Sequence, residues 1–302
     1  MYTRRQFGRL ALAALPLSLA AKKIDSLLYG VQFGLQSYSF NGLPHEGILD
    51  LVISVMVETG LGECDIWEPL MQPGDLVERM RSPSAAPESR AQARADLAKW
   101  RLSAPLAYFR DIRAKFENAG IDLYGYSGIS GDSDEELNRT FDIAEALGVR
   151  LVTVGVPLSV AKRLAPIAEK RRMLVGLQGR PNMNATNPDQ IARPEGYEAG
   201  VASSPSFRIS LDIGDATAGG YDALKFVQDH HADIALLYIK DRKKDRTSVP
   251  WGEGDTPVKE ILQLVRDKKY LIRCYIDCDY KSPLGRAADI KQCYQYAGKV
   301  LG

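Results

Sequence analysis

Apolar segments of seven to nine residues recur eight times along the chain, and stretches with helical periodicity separate most of them. Strands that alternate with helices are typical of parallel sheets, because each helix connects one strand to the start of the next. Eight such units predict an α/β fold, a single (β/α)8 TIM barrel, with its functional residues at the C-terminal ends of the strands. The predicted strands are residues 33–39, 62–68, 121–127, 150–156, 173–179, 207–213, 234–240 and 272–280.

A doubly wound open sheet is the alternative arrangement of the same units. No G-x-G-x-x-G motif follows the first predicted strand, which argues against a dinucleotide-binding sheet, and we expect no nucleotide cofactor. Residues 71–120 form a long connection, in which RSPSAAPESR predicts a flexible loop and an extended helix begins near Ala91. No linker separates a second domain, so residues 22–302 are predicted to form one barrel.

The N-terminal segment, residues 1–21, resembles a twin-arginine export signal. Arg4 and Arg5 precede a short apolar stretch that ends in the small-residue sequence SLA. The stretch is shorter than the roughly 20 residues that a membrane span requires. We therefore predict recognition by the twin-arginine export machinery, cleavage, a periplasmic location and no stable membrane span afterwards. A retained amphipathic N-terminus or an uncleaved anchor is the alternative.

The charge of the chain gives little reason to expect a nucleic acid partner. The 39 basic residues become 36 once residues 1–21 are removed, against 38 acidic residues, a net charge near −2. DNA-repair nucleases that share this type of barrel bind three zinc ions through many histidines, whereas this chain has three in all. Of its four cysteines, Cys274 and Cys278 are too far apart along a strand to form a disulfide with each other, and buried thiols are expected.

Alternation of side chains along the predicted strands brings polar groups to one side. In residues 207–213, Ile209, Leu211 and Ile213 face the helices, which leaves Ser210 and Asp212 facing the barrel axis. The inward polar groups of several strands fall at the C-terminal end, so a ligand site is predicted there. A structural network in which Lys240 pairs with Asp212 or Asp277 is the alternative. The residues predicted to converge are Gln178, Asp212, Tyr238, Lys240 and Asp277, with Glu68 and Arg180 nearby.

Longer segments carry a family resemblance. They are GLQSYSF, LAKWRLSAPLAYFRDIRAKFENAGIDLYGYS, SLDIGDATAGG, YIKDRKKDRTSVPWGEGDTPVKEILQLVRDKKY and YIDCDYK, which span nearly all of residues 22–302. They resemble the xylose isomerase-like TIM barrel superfamily of sugar phosphate isomerases and epimerases, and most of all an exported bacterial branch of it. The resemblance implies a small-molecule carbohydrate as partner.

The resemblance also implies where a metal would bind. The superfamily usually holds one divalent cation with four side chains from strands five to eight, commonly Glu or His, Asp, His and Glu. The corresponding residues here are Gln178, Asp212, Tyr238 and Asp277, while Asp215 replaces a second histidine of the motif, and only Asp212 is unchanged. No imidazole remains, so Asp212, Asp215, Asp277 and Gln178 offer an all-oxygen set for Mg²⁺, Mn²⁺ or Ca²⁺. A site without any metal is the alternative.

Isomerases and epimerases of this superfamily remove a proton next to a carbonyl, which requires a base and a positive group near the developing oxyanion. The expected catalytic residues are therefore Asp277 as base, Lys240 as positive group and Glu68 as second acid or base. Two functions follow: a sugar isomerase or epimerase, with a lyase as a variant, and a carbohydrate-binding barrel that has lost turnover. The expected substrate-binding residues are Gln178, Arg180, Tyr238, Trp251 and His45, the last with a solvated loop histidine as alternative.

Overall fold

The computed structural model describes residues 22–129, 131, 133–179, 187–280 and 282–302. The predicted export signal and Arg180 lie outside these residues. All eight predicted strands are present, and each connects to the next through helical structure. We number them in chain order: β1 Val31–Gln36, β2 Glu63–Trp67, β3 Asp122–Ser127, β4 Leu151–Val154, β5 Leu174–Leu177, β6 Phe207–Asp212, β7 Ile234–Ile239 and β8 Arg273–Ile276.

The eight strands form one closed, parallel barrel. Each of β2 to β7 pairs with the strand that follows it in the chain, and β8 pairs with both β7 and β1. Closure is completed between β1 and β2, where Leu35 lies opposite Cys64 and Gln36 opposite Asp65. The barrel prediction is therefore confirmed, and the open-sheet alternative is excluded. A two-residue strand, Leu27–Leu28, adds antiparallel pairing to the start of β1.

Helices surround the barrel. They are α1 Ile48–Thr59, α2 Gly74–Arg81, α3 Pro87–Ser103, α4 Leu106–Asn118, α5 Asp134–Leu147, α6 Leu158–Arg171, α7 Pro194–Val201, α8 Ile213–Ala218, α9 Ala223–His230, α10 Val258–Asp267 and α11 Arg286–Leu301. None of the helices in the described part of the chain is both long and apolar enough to cross a membrane.

The connection between β2 and β3 is more regular than the sequence suggested. Most of RSPSAAPESR was expected to be a flexible loop, but α3 already begins at Pro87. Proline is well suited to the first helical position, since its fixed φ matches the helix and its missing N–H has no partner to lose there. The irregular link between α2 and α3 is therefore only residues 82–86.

Side-chain alternation divides the core into two layers. The outer layer lies between strands and helices and contains Leu237 and Ile239 of β7. The barrel interior holds a smaller cluster of buried residues. The pairing of β6 with β7 shifts by one residue after Ile209. Ala235 therefore belongs to the interior cluster, although strict alternation with Leu237 and Ile239 would turn it outward. The cluster consists of Tyr124, Leu151, Ala235, Leu236, Tyr238 and Tyr275.

All four cysteines are buried and free, which confirms the expectation that Cys274 and Cys278 do not pair. The two neighbouring histidines, His230 and His231, lie at the end of α9. His231 Nδ1 donates a hydrogen bond to the Gln228 carbonyl oxygen (3.0 Å), and its ring stacks on Tyr270 with ring centroids 4.1 Å apart. These groups therefore belong to the scaffold.

Candidate active site at the C-terminal end of the barrel

Three consecutive strands place a charged residue where they end. Asp212 is the last residue of β6, Lys240 directly follows β7, and Asp277 directly follows β8. Asp212 is also the N-cap of α8, since one of its oxygens accepts a hydrogen bond from the Asp215 N–H at 2.8 Å. The same cap explains why a buried strand ends in an acid: the carboxylate satisfies a backbone donor of the helix that follows.

The Lys240 ammonium lies among three carboxylates. Its Nζ is 3.0 Å from Asp212 Oδ2, 3.0 Å from Asp277 Oδ2 and 3.3 Å from Asp279 Oδ2. An ammonium has three N–H donors, so each one has a carboxylate within reach. The Tyr38 ring lies 5.6 Å from Nζ, within the range of a cation–π contact. Lys240 is only 4 % exposed, so this positive charge is stabilised by its neighbours rather than by water.

A second cation extends the group. The Arg242 guanidinium donates to Asp279 Oδ2 at 2.8 Å, and its Nε is 3.1 Å from Asp215 Oδ1. Arg242 belongs to a two-stranded ribbon formed by Asp241–Arg242 and Ser248–Val249. We call the whole group the mouth cluster. It consists of Asp212, Asp215, Lys240, Arg242, Asp277 and Asp279, with four acids against two bases.

The excess of acids in a buried place perturbs their titration. Burial raises the pKa of Asp277 above its usual range, against the opposing effect of Lys240. Burial and the neighbouring Asp212 likewise raise the pKa of Asp215, to about 7. Burial also opposes ionisation of Asp279, but Lys240 and Arg242 outweigh it and lower the pKa of that carboxyl. The mouth cluster can therefore take up and release protons close to neutral pH.

Three carboxylate oxygens of the mouth cluster have no hydrogen-bond partner in the described part of the chain. They are Oδ1 of Asp215, Asp277 and Asp279, and all are shielded from solvent. Of the three, Asp215 Oδ1 lies 3.1 Å from Arg242 Nε in an ion pair. A buried acceptor without a donor is costly, and such atoms in a folded protein point to function, strain or an additional bound group. Asp277 is thus held by one oxygen and has the other free to accept a proton.

Tyr238 belongs to the layer below the mouth cluster. Its hydroxyl donates to Asp65 Oδ2 at 2.5 Å, and its ring is fully buried in the interior cluster. Burial and the nearby Asp65 carboxylate raise the pKa of Tyr238 well above its usual value, so it remains a neutral phenol. The hydroxyl is bonded to Asp65, and the Tyr238 ring lies in the interior cluster.

Glu68 is also placed elsewhere than expected. Its two carboxylate oxygens accept hydrogen bonds from Arg101 of α3 at 2.7 and 2.9 Å, and the Tyr126 hydroxyl donates to one of them at 2.5 Å. All three side chains are buried, and Tyr126 belongs to the outer core layer. The structure therefore shows Glu68 in an ion pair between barrel and helix, and brings it into no contact with the mouth cluster.

Trp251 is buried rather than presented to a sugar ring. It packs edge-on against Tyr296 of α11, with ring centroids 6.1 Å apart. The loop that carries it is fixed by Asp241, whose carboxylate accepts the backbone N–H groups of Gly252 (2.8 Å), Gly254 (3.0 Å) and Thr256 (3.3 Å). The WGEGDTP motif therefore determines the conformation of this loop.

His45 and Gln178 are half-buried. His45 packs on Gly74 of α2, and burial lowers its imidazole pKa, partly offset by Glu78. The Gln178 backbone N–H donates to the Val154 carbonyl oxygen at 2.9 Å, which keeps it at the end of β5. The structure thus brings together Asp212, Asp215, Lys240 and Asp277 from the predicted site.

Sequence reasoning missed two members of the mouth cluster, Arg242 and Asp279, and the Tyr38 ring beside Lys240. Asp279 lies two residues after Asp277, so alternation along the strand turns both to the same, inner side. Arg242 lies in KDRKKDR, a run of mixed charges of the kind that is common in solvated loops. The ribbon pairing of Asp241–Arg242 turns this arginine back toward Asp215 and Asp279.

The residues at this position do not fit the divalent metal that the resemblance implies. Asp212 and Asp277 would be its carboxylate ligands, yet an ammonium lies 3.0 Å from both. The position of the third ligand is held by Tyr238, a phenol bonded to Asp65. The described residues contain no group of three or more His, Cys, Asp or Glu arranged to hold a metal ion.

Comparisons with known proteins bear on the fold. No protein-family model matches the chain, and no curated protein matches it. Among solved structures it resembles a sugar phosphate isomerase/epimerase from Parabacteroides distasonis, with 14% identity, a TM-score of 0.59 and coverage of 94% of this chain and 99% of that one. It also resembles a D-allulose 3-epimerase from Methylomonas sp., with 11% identity, a TM-score of 0.61 and coverage of 89% and 98%.

A third similar structure is a xylose isomerase domain protein from Alicyclobacillus acidocaldarius, with 14% identity, a TM-score of 0.58 and coverage of 89% of this chain and 98% of that one. At sequence identities this low, structural similarity is informative about the fold alone. For the fold, these matches confirm the resemblance found in the sequence. The chain therefore has the fold of the sugar phosphate isomerase/epimerase and xylose isomerase-like TIM barrels.

Proposed function

We propose that this barrel acts on a small carbonyl-bearing carbohydrate and transfers a proton at the carbon next to the carbonyl, as sugar isomerases and epimerases do. One observation carries the proposal: Asp277 is buried, has a raised pKa, holds Lys240 with one oxygen and has no partner for the other. A carboxylate with these properties is a stronger base than one in water, and bases with a pKa near the working pH are the most effective.

In the proposed proton transfer, Asp277 and Lys240 each have a role. Asp277 Oδ1 takes the proton from the carbon, and the electron pair of the C–H bond moves toward the carbonyl oxygen, which becomes negative. Lys240 holds Asp277 in place and puts a positive charge beside the developing enediolate. Return of the proton to another carbon gives isomerisation, and return to the other face gives epimerisation. A positioned base contributes roughly 10²- to 10⁴-fold to such a step.

The comparisons support the class of substrate and no more. The similar structures include a D-allulose 3-epimerase and an L-ribulose 3-epimerase, at 11% and 12% identity. Their substrates are ketoses, which have the carbonyl that the proposed proton transfer requires. Ketoses and aldoses of five and six carbons are therefore the first compounds to test.

Exchange of carbon-bound hydrogen tests the proposal directly. The purified protein is incubated with single pentoses and hexoses in ²H₂O, and ¹H NMR measures loss of the signal next to the carbonyl. The proposal expects exchange with at least one sugar, and a loss of at least about 100-fold in Asp277→Asn, which keeps shape and removes the base. Glu58→Gln changes an exposed acid of α1 and serves as the matched control. Exchange that is equal in Asp277→Asn and the unmodified protein would refute the assignment.

A carbohydrate-binding barrel without turnover is the second candidate. It is favoured by the way three carboxylates occupy all three donors of Lys240, which leaves no N–H ready for a substrate oxygen. The same experiment separates the two functions. Saturable sugar binding by calorimetry together with no exchange in ²H₂O establishes the binding protein, whereas exchange establishes the enzyme.

A further inference from the structure

The carboxylates of the mouth cluster surround a positive charge as they would surround a bound cation, but this charge is the side chain of Lys240. Three carboxylate oxygens surround one point at 3.0, 3.0 and 3.3 Å, and the atom at that point is Lys240 Nζ. Carboxylates gathered from the ends of β6 and β8 are costly to bury together, because their charges repel and they lose water. A positive charge at their centre is therefore a requirement of the fold.

The place of Lys240 along β7 explains how the side chain reaches this point. Tyr238 and Lys240 are two residues apart, so they face the same side of the strand, with Lys240 about 6.6 Å nearer the C-terminal end. Tyr238 is bonded to Asp65 below and fills the interior. Lys240, which directly follows β7, is thus the first inward-facing residue along this strand that can place its side chain between Asp212 and Asp277.

An independent observation shows that the carboxylates are not fully satisfied by the ammonium. Oδ1 of Asp277 is buried and has no hydrogen-bond partner among the described residues, and the residue as a whole is only 4 % exposed. Even with Lys240 and Arg242 present, the four acids of the mouth cluster exceed its two bases. The cluster therefore has spare oxygen ligands.

We propose that the Lys240 ammonium is a built-in replacement for a divalent cation, so that the chain needs no metal at this position and gains a metal site when the ammonium is removed. Oxygen atoms of Asp212, Asp277 and Asp279 would then be the ligands, a hard set that suits Mn²⁺, Mg²⁺ or Ca²⁺. The inference does not require the proposed function, because it concerns the cation at the mouth and can be measured with no sugar present.

Manganese binding tests the replacement. Titration of Mn²⁺ into the unmodified protein, followed by calorimetry and by the electron paramagnetic resonance signal of free Mn²⁺, is expected to show no stoichiometric site. Lys240→Ala is expected to bind one equivalent, at least about 100-fold more tightly, because the variant loses a positive charge 3.0 Å from two of the ligands. Mn²⁺ should also raise the unfolding temperature of Lys240→Ala and leave that of the unmodified protein unchanged.

Two further variants make the result specific. Lys240→Ala combined with Asp277→Asn should lose the manganese site, because one ligand is gone. Lys225→Ala removes a surface lysine paired with Asp229 at 2.8 Å and should create no site. If Lys240→Ala folds poorly alone, it should regain its fold on refolding with Mn²⁺.

Three outcomes would overturn the proposal: one tightly bound Mn²⁺ in the unmodified protein, a folded Lys240→Ala that binds none, or a Lys240→Ala that recovers neither fold nor binding with Mn²⁺. None of them depends on hydrogen exchange into a sugar. An inactive protein that still shows the manganese behaviour would therefore refute the proposed function alone.

Discussion

Replacement of Lys240 by methionine removes one charge and keeps nearly the same length of side chain. The ammonium now stabilises three carboxylates at 3.0 to 3.3 Å, all in a place with little water. Removal of one partner of a buried ion pair typically costs about 3–5 kcal/mol, because the remaining charge is left buried without compensation. We expect a loss of about that size in the free energy of unfolding at pH 8.

The loss should depend on pH in a definite direction. Burial already raises the pKa of Asp277, and without the ammonium it rises further. An acid whose pKa is raised in the folded state destabilises the fold progressively as pH rises from its unfolded value near 4 toward the folded value. The cost of Lys240→Met should therefore be largest at pH 8 and smaller at pH 5.5, where the acids take up protons.

Urea unfolding at the two pH values measures both quantities. Lys225→Met is the matched control, since its ammonium is as close to a carboxylate, at 2.8 Å, but lies in water. Its unfolding should not change measurably. A Lys240→Met loss no larger than that of the control, or a loss equal at pH 5.5 and pH 8, would refute the argument that the mouth cluster depends on this charge.

Three further substitutions test other parts of the structure. Burial raises the pKa of Asp65 to about 6, so the unmodified protein should lose roughly 2 kcal/mol of stability between pH 4 and pH 6.5 through this group; urea unfolding of Asp65→Asn should lack that loss. Arg101→Met leaves Glu68 buried and unpaired and should cost about 3–5 kcal/mol, again by urea unfolding, with sugar binding by the folded protein unchanged. Gly176→Ala would place a Cβ 2.1 Å from Ser210 Oγ and should lower the free energy of unfolding by about 1–3 kcal/mol. Thermal unfolding should show that adding Ser210→Ala restores part of this stability. Fully additive effects of the two substitutions would contradict the contact.

The barrel was predictable because its signal is local. Each strand is a short apolar run, and each helix carries its own periodicity and end signals, such as the capping box formed by Ser133 and Glu136 at the start of α5. The same local alternation predicted correctly that Asp212, Lys240 and Asp277 share the interior side. Alternation misplaced Ala235, which lies where the pairing of β6 with β7 shifts.

The partners of the polar groups were not predictable in the same way. Tyr238 and Asp65 are 173 residues apart, and Arg101 and Glu68 are 33 apart, so neither pair leaves a mark in any short segment. Glu68 has a carboxylate at a strand end, as a catalytic acid would. Only its hydrogen bonds with Arg101 of α3 and Tyr126 of β3 show that this carboxylate is occupied. Alternation of side chains is a property of one strand and can be taken from its own residues. The identity of the groups that meet across the barrel depends on closure of the sheet and on the path of its connections, and the network of charges around Lys240 exists only once both are formed.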